Sequence, residues 1–329
     1  MPEKPEVQAF ADALHAHIAG RTLCALTFDA HSRYHSKRPA GYDAFCAALP
    51  SVITRVWSKG KKVLIVLDNG TAILSSLGME GKWLPSPGKH SNACLQCACD
   101  TVAYYDDVRH QGELEVFLTA EALSARLQRL GPDLLNDDVT LQQWLGILRS
   151  ARLAHKEICD VMMEQSYFSG IGNYIKAEAL HSARVRPNAL ICELDDAMLA
   201  AVFAHSVRVI QESYAARGAT LHSYADFDQR PGGFRVLVYN QECDVHKNTV
   251  IKTTFADGRT THWCPAHQVL PSAWTGTPSI DVEKLRRSKG RGKEVYLVHE
   301  LKEYCRHYGV SQEGVKSVLV DRLTGKLGA

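Results

Sequence analysis

Pro2 and Glu3, followed by Lys4, Pro5 and Glu6, put a nucleophile beside an acid/base at the start of the chain. A small proline after the initiator Met favours removal of Met1, which leaves a secondary α-amine at Pro2. Such an amine titrates near about 8, so a useful neutral fraction exists at physiological pH. It can attack an electrophilic carbon without the perturbation a lysine needs, while the Glu3 carboxyl moves protons. The same residues also suit a helix start, because proline fits the first helical turn. On these six residues alone both readings stand.

A second group has metal-binding spacing. Cys243-x2-His246 is followed, after a gap of 17 residues, by Cys264-x2-His267. Two short ligand pairs on hairpin turns suit tetrahedral zinc, and four protein ligands would leave no open position, making the metal structural. Val250–Phe255, a turn at Ala256-Asp257-Gly258 and Thr260–Trp263 supply the strands between them. Cys94, Cys97 and Cys99 with His90 invite another metal, but they read more simply as a hairpin with Leu95, Cys97 and Cys99 on one buried face.

Further candidates lie in loops. Lys59, Lys61 and Lys62 sit at the mouth of a hairpin, where a lysine can meet a phosphate as a point charge. Leu77-Gly78-Met79-Glu80-Gly81 reads as a tight loop that pushes Met79 outwards. Between Ser166 and Tyr174 a glycine-punctuated turn joins two helices and sets Gly172 and Asn173 at a helix N-terminus, a seat for phosphate or a mere turn.

The elements that must hold these groups are legible from periodicity. Val7, Phe10, Ala11, Leu14 and Ile18 form one helical stripe that Gly20 ends. Leu23–Phe28, Val52–Trp57, Val63–Leu67 and Thr71–Leu77 read as strands, giving an antiparallel β-sandwich with one leading helix. From Thr119 the period becomes helical, over Ala120–Leu130, Leu141–Leu148, Lys156–Met163 and Leu190–Ala216. The expected class is therefore α+β and multidomain. A catalytic sandwich at 1–130 precedes an all-α helix-two-turn-helix domain at 131–235, a zinc-finger hairpin at 236–270, a basic linker at 271–294 and a small helix-loop-helix at 295–329.

The composition is that of an ordinary globular protein, with 45% apolar and 22% charged residues. No run reaches the roughly 18 apolar residues of a membrane helix, and the N-terminus lacks a signal-peptide core, so an intracellular place is expected, nuclear in a eukaryote and otherwise cytoplasmic. The net charge of +2 hides an asymmetry: Lys284 to the C-terminus holds 11 Lys/Arg against 5 Asp/Glu, and residues 1–283 hold 27 against 31. A basic tail reads as a solvated linker or as a polyanion-binding arm. Within it, helices are expected at Val295–Tyr308 and Val315–Leu323.

Taken together, PEKPE, SKGK ending at Lys61, LGMEG around Met79, DVRHQG at 107–112, LGPDLL at 130–135, SGIGNYIKAEAL at 169–180 and the hairpin with Gly258-Arg259 resemble the Fpg/Nei family of bifunctional DNA glycosylases, over residues 2 to about 268. The stretch ELKEYCRHYGVSQEGVKSVLVDRL resembles a SAP domain, a small module that binds DNA or chromatin.

The resemblance implies roles. Pro2 is the nucleophile at C1′ of a damaged nucleotide, Glu3 protonates the sugar, and Glu6 is a supporting carboxylate. Lys61 completes the catalytic set and, with Asn173 and Arg259, binds phosphate, Gly172 opening the helix that carries Asn173. Met79 and Arg109 fill the gap left by a base swung out of the duplex. Gln111 stands where the family often has a wedging Phe, the zinc set mixes Cys and His, and the stretch Arg217–Arg235 is short. These departures point away from 8-oxoguanine and towards oxidised pyrimidines and ring-opened purines. The implied partner is damaged DNA, duplex or single-stranded, and the implied state a monomer. A non-catalytic DNA- or chromatin-binding protein with the same fold is the alternative.

Overall fold

The computed structural model describes residues 2–220, 227, 230–268, 282–289, 296, 301, 304–305, 310–311 and 313–327. The chain forms two compact units, Met1–Leu270 and Pro271–Ala329.

Helix α1, Lys4–Ile18, buries the expected stripe Val7, Phe10, Ala11, Leu14 and Ile18. Its apolar face thereby fixes the position of the N-terminus. The strands are β1 Thr22–Phe28, β2 Ser51–Lys59, β3 Lys62–Leu67, β4 Ala72–Ser76, β5 Lys82–Leu84, β6 Ser91–Cys97, β7 Val102–Asp106 and β8 Glu113–Phe117. They run in the order β5-β7-β6-β1-β2-β3-β4-β8. The expected sandwich is thus one hydrogen-bonded sheet, although β1 and β2 pair only through Thr22 with Val52 and Leu23 with Ser51. Register breaks at Leu23/Ala25 and Ile53/Arg55 flank that junction, as bulges do where a sheet bends. Both halves share one core: Leu26, Leu95 and Ala103 join Val56, Ile65 and Leu114 around the α1 stripe. Short helices α2, Arg33–Ser36, and α3, Tyr42–Ala47, follow β1.

Cys99 departs from the expected pattern. Leu95 and Cys97 are buried, but Cys99 is exposed at the β6–β7 turn with φ 61°, because the strand ends two residues earlier.

The helical segment comprises α4 Ala120–Leu127, α5 Leu141–Leu148, α6 Ile158–Met163, α7 Asn173–Ser182 and α8 Asp196–Ala215. The single helix expected over Leu190–Ala216 is broken, because the Asp195 carboxylate accepts from the Met198 N–H at 2.8 Å and starts α8 there. Trp144 anchors this second core, stacked on Phe168 at 4.0 Å between ring centroids and donating its indole N–H to Leu199 O at 3.1 Å. Strands β9, Ile251–Thr254, and β10, Thr260–Trp263, form the separate expected hairpin. The buried Glu178 of α7 accepts the backbone N–H groups of Leu237, Val238 and Tyr239, tying the chain that leads into the hairpin to the helical layer.

The C-terminal unit has its own core of Leu285, Tyr296, Leu301, Cys305, Leu319, Val320 and Leu323. Val282–Arg287 is helical with Leu285 buried, so the basic stretch expected as a linker to residue 294 already belongs to a folded unit. The last helix is Lys316–Leu327, one residue later in start and four later in end than expected. The helix expected at Val295–Tyr308 lies mostly outside the described residues. Among the described residues no helix is long and apolar enough to cross a membrane.

Candidate active site and nucleic-acid interface

The start of α1, the β2–β3 turn and the loop before α7 meet at Glu3. Its backbone N–H donates to Glu6 Oε2 at 2.9 Å. The Glu3 carboxylate sits on the N-terminus of α7, accepting from Tyr174 N at 2.9 Å and Ile175 N at 3.1 Å. Unpaired N–H groups and the helix dipole make this a seat for negative charge. Gly172 leaves room for it: a Cβ there would lie 2.1 Å from Glu3 Cδ. Gln165 braces the same loop, its amide donating to Ile171 O and accepting from Gly170 N, each at 3.0 Å.

Charge compensation at this seat is incomplete. Burial raises the Glu3 pKa, while Lys61 and the two helix N–H groups oppose the rise. Burial likewise lowers the Lys61 pKa, opposed by Glu3 and reinforced by the Arg259 guanidinium. Burial, then the Glu3 charge, pushes Glu6 up to about 7. Glu6 Oε1 accepts from Tyr174 Oη at 3.0 Å and Ala219 N at 2.8 Å. Two carboxyls in a desolvated corner, one of them poised near neutrality, can exchange protons with a substrate. Pro2 is half-buried one residue before Glu3.

Two residues without an assigned role in the sequence reading hold this junction together. Lys4 Nζ is fully buried, 2.9 Å from Asp133 Oδ2 and 2.6 Å from Ser58 Oγ. Asp133 Oδ2 also accepts from Gly60 N at 2.7 Å. Gly60, at φ +55°, needs the absence of a side chain, since a Cβ would lie 2.9 Å from Ser169 Cβ. The LGPDLL motif therefore ties α1 to the lysine turn through the Asp133 carboxylate, and reaches the glycine loop through its backbone, Pro132 O accepting from Ser169 N at 2.9 Å.

Lys61, Asn173 and Arg259 come from three elements. Asn173 opens α7 and donates from Nδ2 to Thr260 O at 2.8 Å, next to the exposed Arg259. The turn that carries Arg259 is pinned to α7 by the buried ion pair of Lys176 with Asp257. Met79, Arg109 and Gln111 are all exposed. Arg109 Nη2 lies 2.9 Å from Glu80 Oε1, which joins the Met79 loop to the loop of 107–112. Asp107 shapes the latter by accepting from Arg109 N at 3.2 Å and Gly112 N at 2.7 Å.

The expected zinc residues are only partly assembled. Cys264 is buried and the His246 ring lies 4.9 Å from that of His267, between centroids, but Cys243 and His246 are both exposed. The donors that converge are His181, Asp244 and His267, whose ligand atoms all lie within 4.8 Å of one another. His181 and Asp244 were absent from the sequence-based set; one lies in a helix and the other beside a more conspicuous Cys.

The formamidopyrimidine-DNA glycosylase N-terminal domain matches residues 1–114, its H2TH domain residues 130–225, and the SAP domain residues 298–325. The chain belongs to the formamidopyrimidine-DNA glycosylase/endonuclease VIII family. It is an enzyme of that family, a DNA glycosylase, with a SAP domain at its C-terminal end. Endonuclease 8 of Salmonella newport is 27% identical over 277 residues, covering 80% of this chain and 98% of the relative. The MutM (Fpg) protein of Thermus thermophilus superposes with a TM-score of 0.71 at 27% identity, over 81% of this chain and 98% of that one. A Lactococcus lactis Fpg mutant, solved with DNA containing Fapy-dG, shares the fold with a TM-score of 0.71 at 24% identity, over 81% and 99% of the two chains. These matches take in 98–99% of the relatives and 80–81% of this chain.

Proposed function

We propose that this glycosylase removes oxidised pyrimidines and ring-opened purines from DNA and cuts the resulting abasic strand through a Schiff base on Pro2, acting in base excision repair. The observation that carries the reading is the seating of the Glu3 carboxylate on the α7 N-terminus, with Lys61 acting on its charge and Pro2 adjacent in sequence. With Met1 removed, the Pro2 nitrogen attacks C1′. The bond from C1′ to the base breaks, and its electron pair leaves with the base, which takes up a proton. The nitrogen loses its proton, and as its lone pair forms a second bond to C1′ the C1′–O4′ bond breaks, its electron pair passing to O4′, which Glu3 in its acid form protonates; this opens the sugar and leaves an iminium ion. That ion acidifies C2′, whose proton departs as the electrons expel the 3′ phosphate.

In this reading Lys61, Asn173 and Arg259 grip the phosphates around the lesion, while Met79, Arg109 and Gln111 occupy the space that the extruded nucleotide leaves. The protein acts as a monomer on duplex DNA, its β9–β10 hairpin stiffened by a structural zinc, with the SAP domain as an auxiliary DNA contact. Glu3→Gln tests the division of labour. It should abolish excision from a duplex carrying an oxidised pyrimidine yet leave measurable cutting at a preformed abasic site, which needs the amine more than the acid. Equal loss of both activities would contradict the role given to Glu3.

A further inference from the structure

We propose that the hairpin zinc is held by His181, Asp244, Cys264 and His267, so that helix α7 supplies a ligand and Cys243 and His246 supply none. The proposal rests on the hairpin being a zinc site and concerns which residues make it.

The first turn of the hairpin is wound around Asp244. Its Oδ1 accepts from His246 N at 2.9 Å and Asn248 N at 2.8 Å, while its backbone N–H donates to Asn248 O and its carbonyl accepts from Lys247 N, both at 3.0 Å. These bonds are those of an Asx turn, and they centre the first knuckle on residue 244. Cys243, one position earlier, pairs with Thr249 as an isolated bridge and is exposed.

The other carboxylate oxygen accepts from Asn248 Nδ2 at 3.2 Å and faces the donors. Asp244 Oδ2 lies 3.3 Å from His181 Nε2, long for an N–H···O bond but matching the edge of a ligand tetrahedron, roughly 3.3–3.4 Å for donors about 2.0–2.1 Å from zinc. The rings of His181 and His267 stack with centroids 4.5 Å apart. Cys264, buried on the second knuckle beside these donors, stands outside the converging group of three and is the remaining buried thiol within the hairpin's own ligand spacing. His181, Asp244 and Cys264 are all buried.

As protein alone this cluster is left short of partners. Among the described residues Nε2 of His181 has only the long contact to Asp244, which leaves that nitrogen available as a ligand. Two imidazoles, a carboxylate and a thiolate suit zinc, which accepts N, O and S donors in a tetrahedron. Gln268 secures the second knuckle: its Oε1 accepts from Cys264 N at 2.8 Å, and its Nε2 donates to Val185 O at 2.9 Å. His181 lies in the last turn of α7, whose first turn holds Glu3 and Asn173. The metal would tie the phosphate-binding hairpin to the catalytic helix itself.

The test uses the full-length protein. X-ray absorption at the zinc edge should find one sulfur per zinc, from Cys264. Elemental analysis should find zinc retained in Cys243→Ser and His246→Ala, and lost in His181→Gln and Cys264→Ser, with circular dichroism checking the fold. Two sulfurs per zinc, or zinc lost in Cys243→Ser and kept in His181→Gln, would overturn this assignment and leave the zinc hairpin standing. Wild-type protein purified without zinc, and unable to retain it after incubation with zinc and dialysis, would overturn both. The sulfur count on unaltered protein needs no variant to fold.

Discussion

The Glu3 carboxylate occupies the space that a side chain on residue 172 would need, with only 2.1 Å between Glu3 Cδ and a Cβ built on Gly172. One residue heads α1 and the other caps α7, so a single close approach joins the proposed acid to the helix that steadies it. Gly172→Ala forces either the carboxylate or the loop to move. Single-turnover base excision should fall about a hundredfold, the usual scale for misplacing a reacting group by an ångström. An unchanged excision rate would show that this seat does not matter to the reaction.

Lys4 and Asp133 form a fully buried ion pair across elements far apart in sequence. Removing one partner strands the other charge, which in comparable pairs costs about 3–5 kcal/mol. Asp133→Ala should lose that much stability in urea denaturation, and Lys4→Met combined with Asp133→Leu should recover part of it. A loss of less than about 1 kcal/mol in Asp133→Ala, the level of a surface pair, would contradict this structural role.

Glu6 provides the pH dependence. Its pKa rises from an ordinary 4.5 to about 7 on folding, so the folded protein keeps a proton that the unfolded chain releases in that window. Its contribution is fully present below 4.5 and is lost as pH rises towards 7, by about 3 kcal/mol in all. Glu6→Gln cannot titrate. Between pH 5 and pH 8 wild type should therefore lose roughly 2–3 kcal/mol relative to the variant in denaturant titrations. Parallel stability curves for the two proteins would contradict the raised pKa.

Much of this was legible from the residues alone, and the exceptions share a cause. The α1 stripe, the β9–β10 hairpin and the glycine loop before α7 all depend on local pattern, so periodicity and turn chemistry reveal them. The partner of Lys4 depends on which distant turns meet in space. LGPDLL could be seen as a motif, while the task of Asp133 within it could not. The spacing of Cys243 and His246 was a local signal, whereas the winding of that turn around the intervening Asp244 was not visible in it. His181 looked like any polar residue at a helix end. Leu285 was hidden by the basic residues around it, although one apolar side chain per turn is enough to seat a short helix in a small core.

The most direct measurement of the central claim is the site of covalent capture. The full-length protein, its N-terminus verified by intact mass, is incubated with an abasic duplex and sodium borohydride, and the digested adduct is mapped by mass spectrometry. The account predicts a reduced adduct on the peptide beginning at Pro2, and no adduct when an uncleaved extension precedes that residue. A full yield of adduct from the extended protein, or capture on Lys61 in place of Pro2, would contradict it.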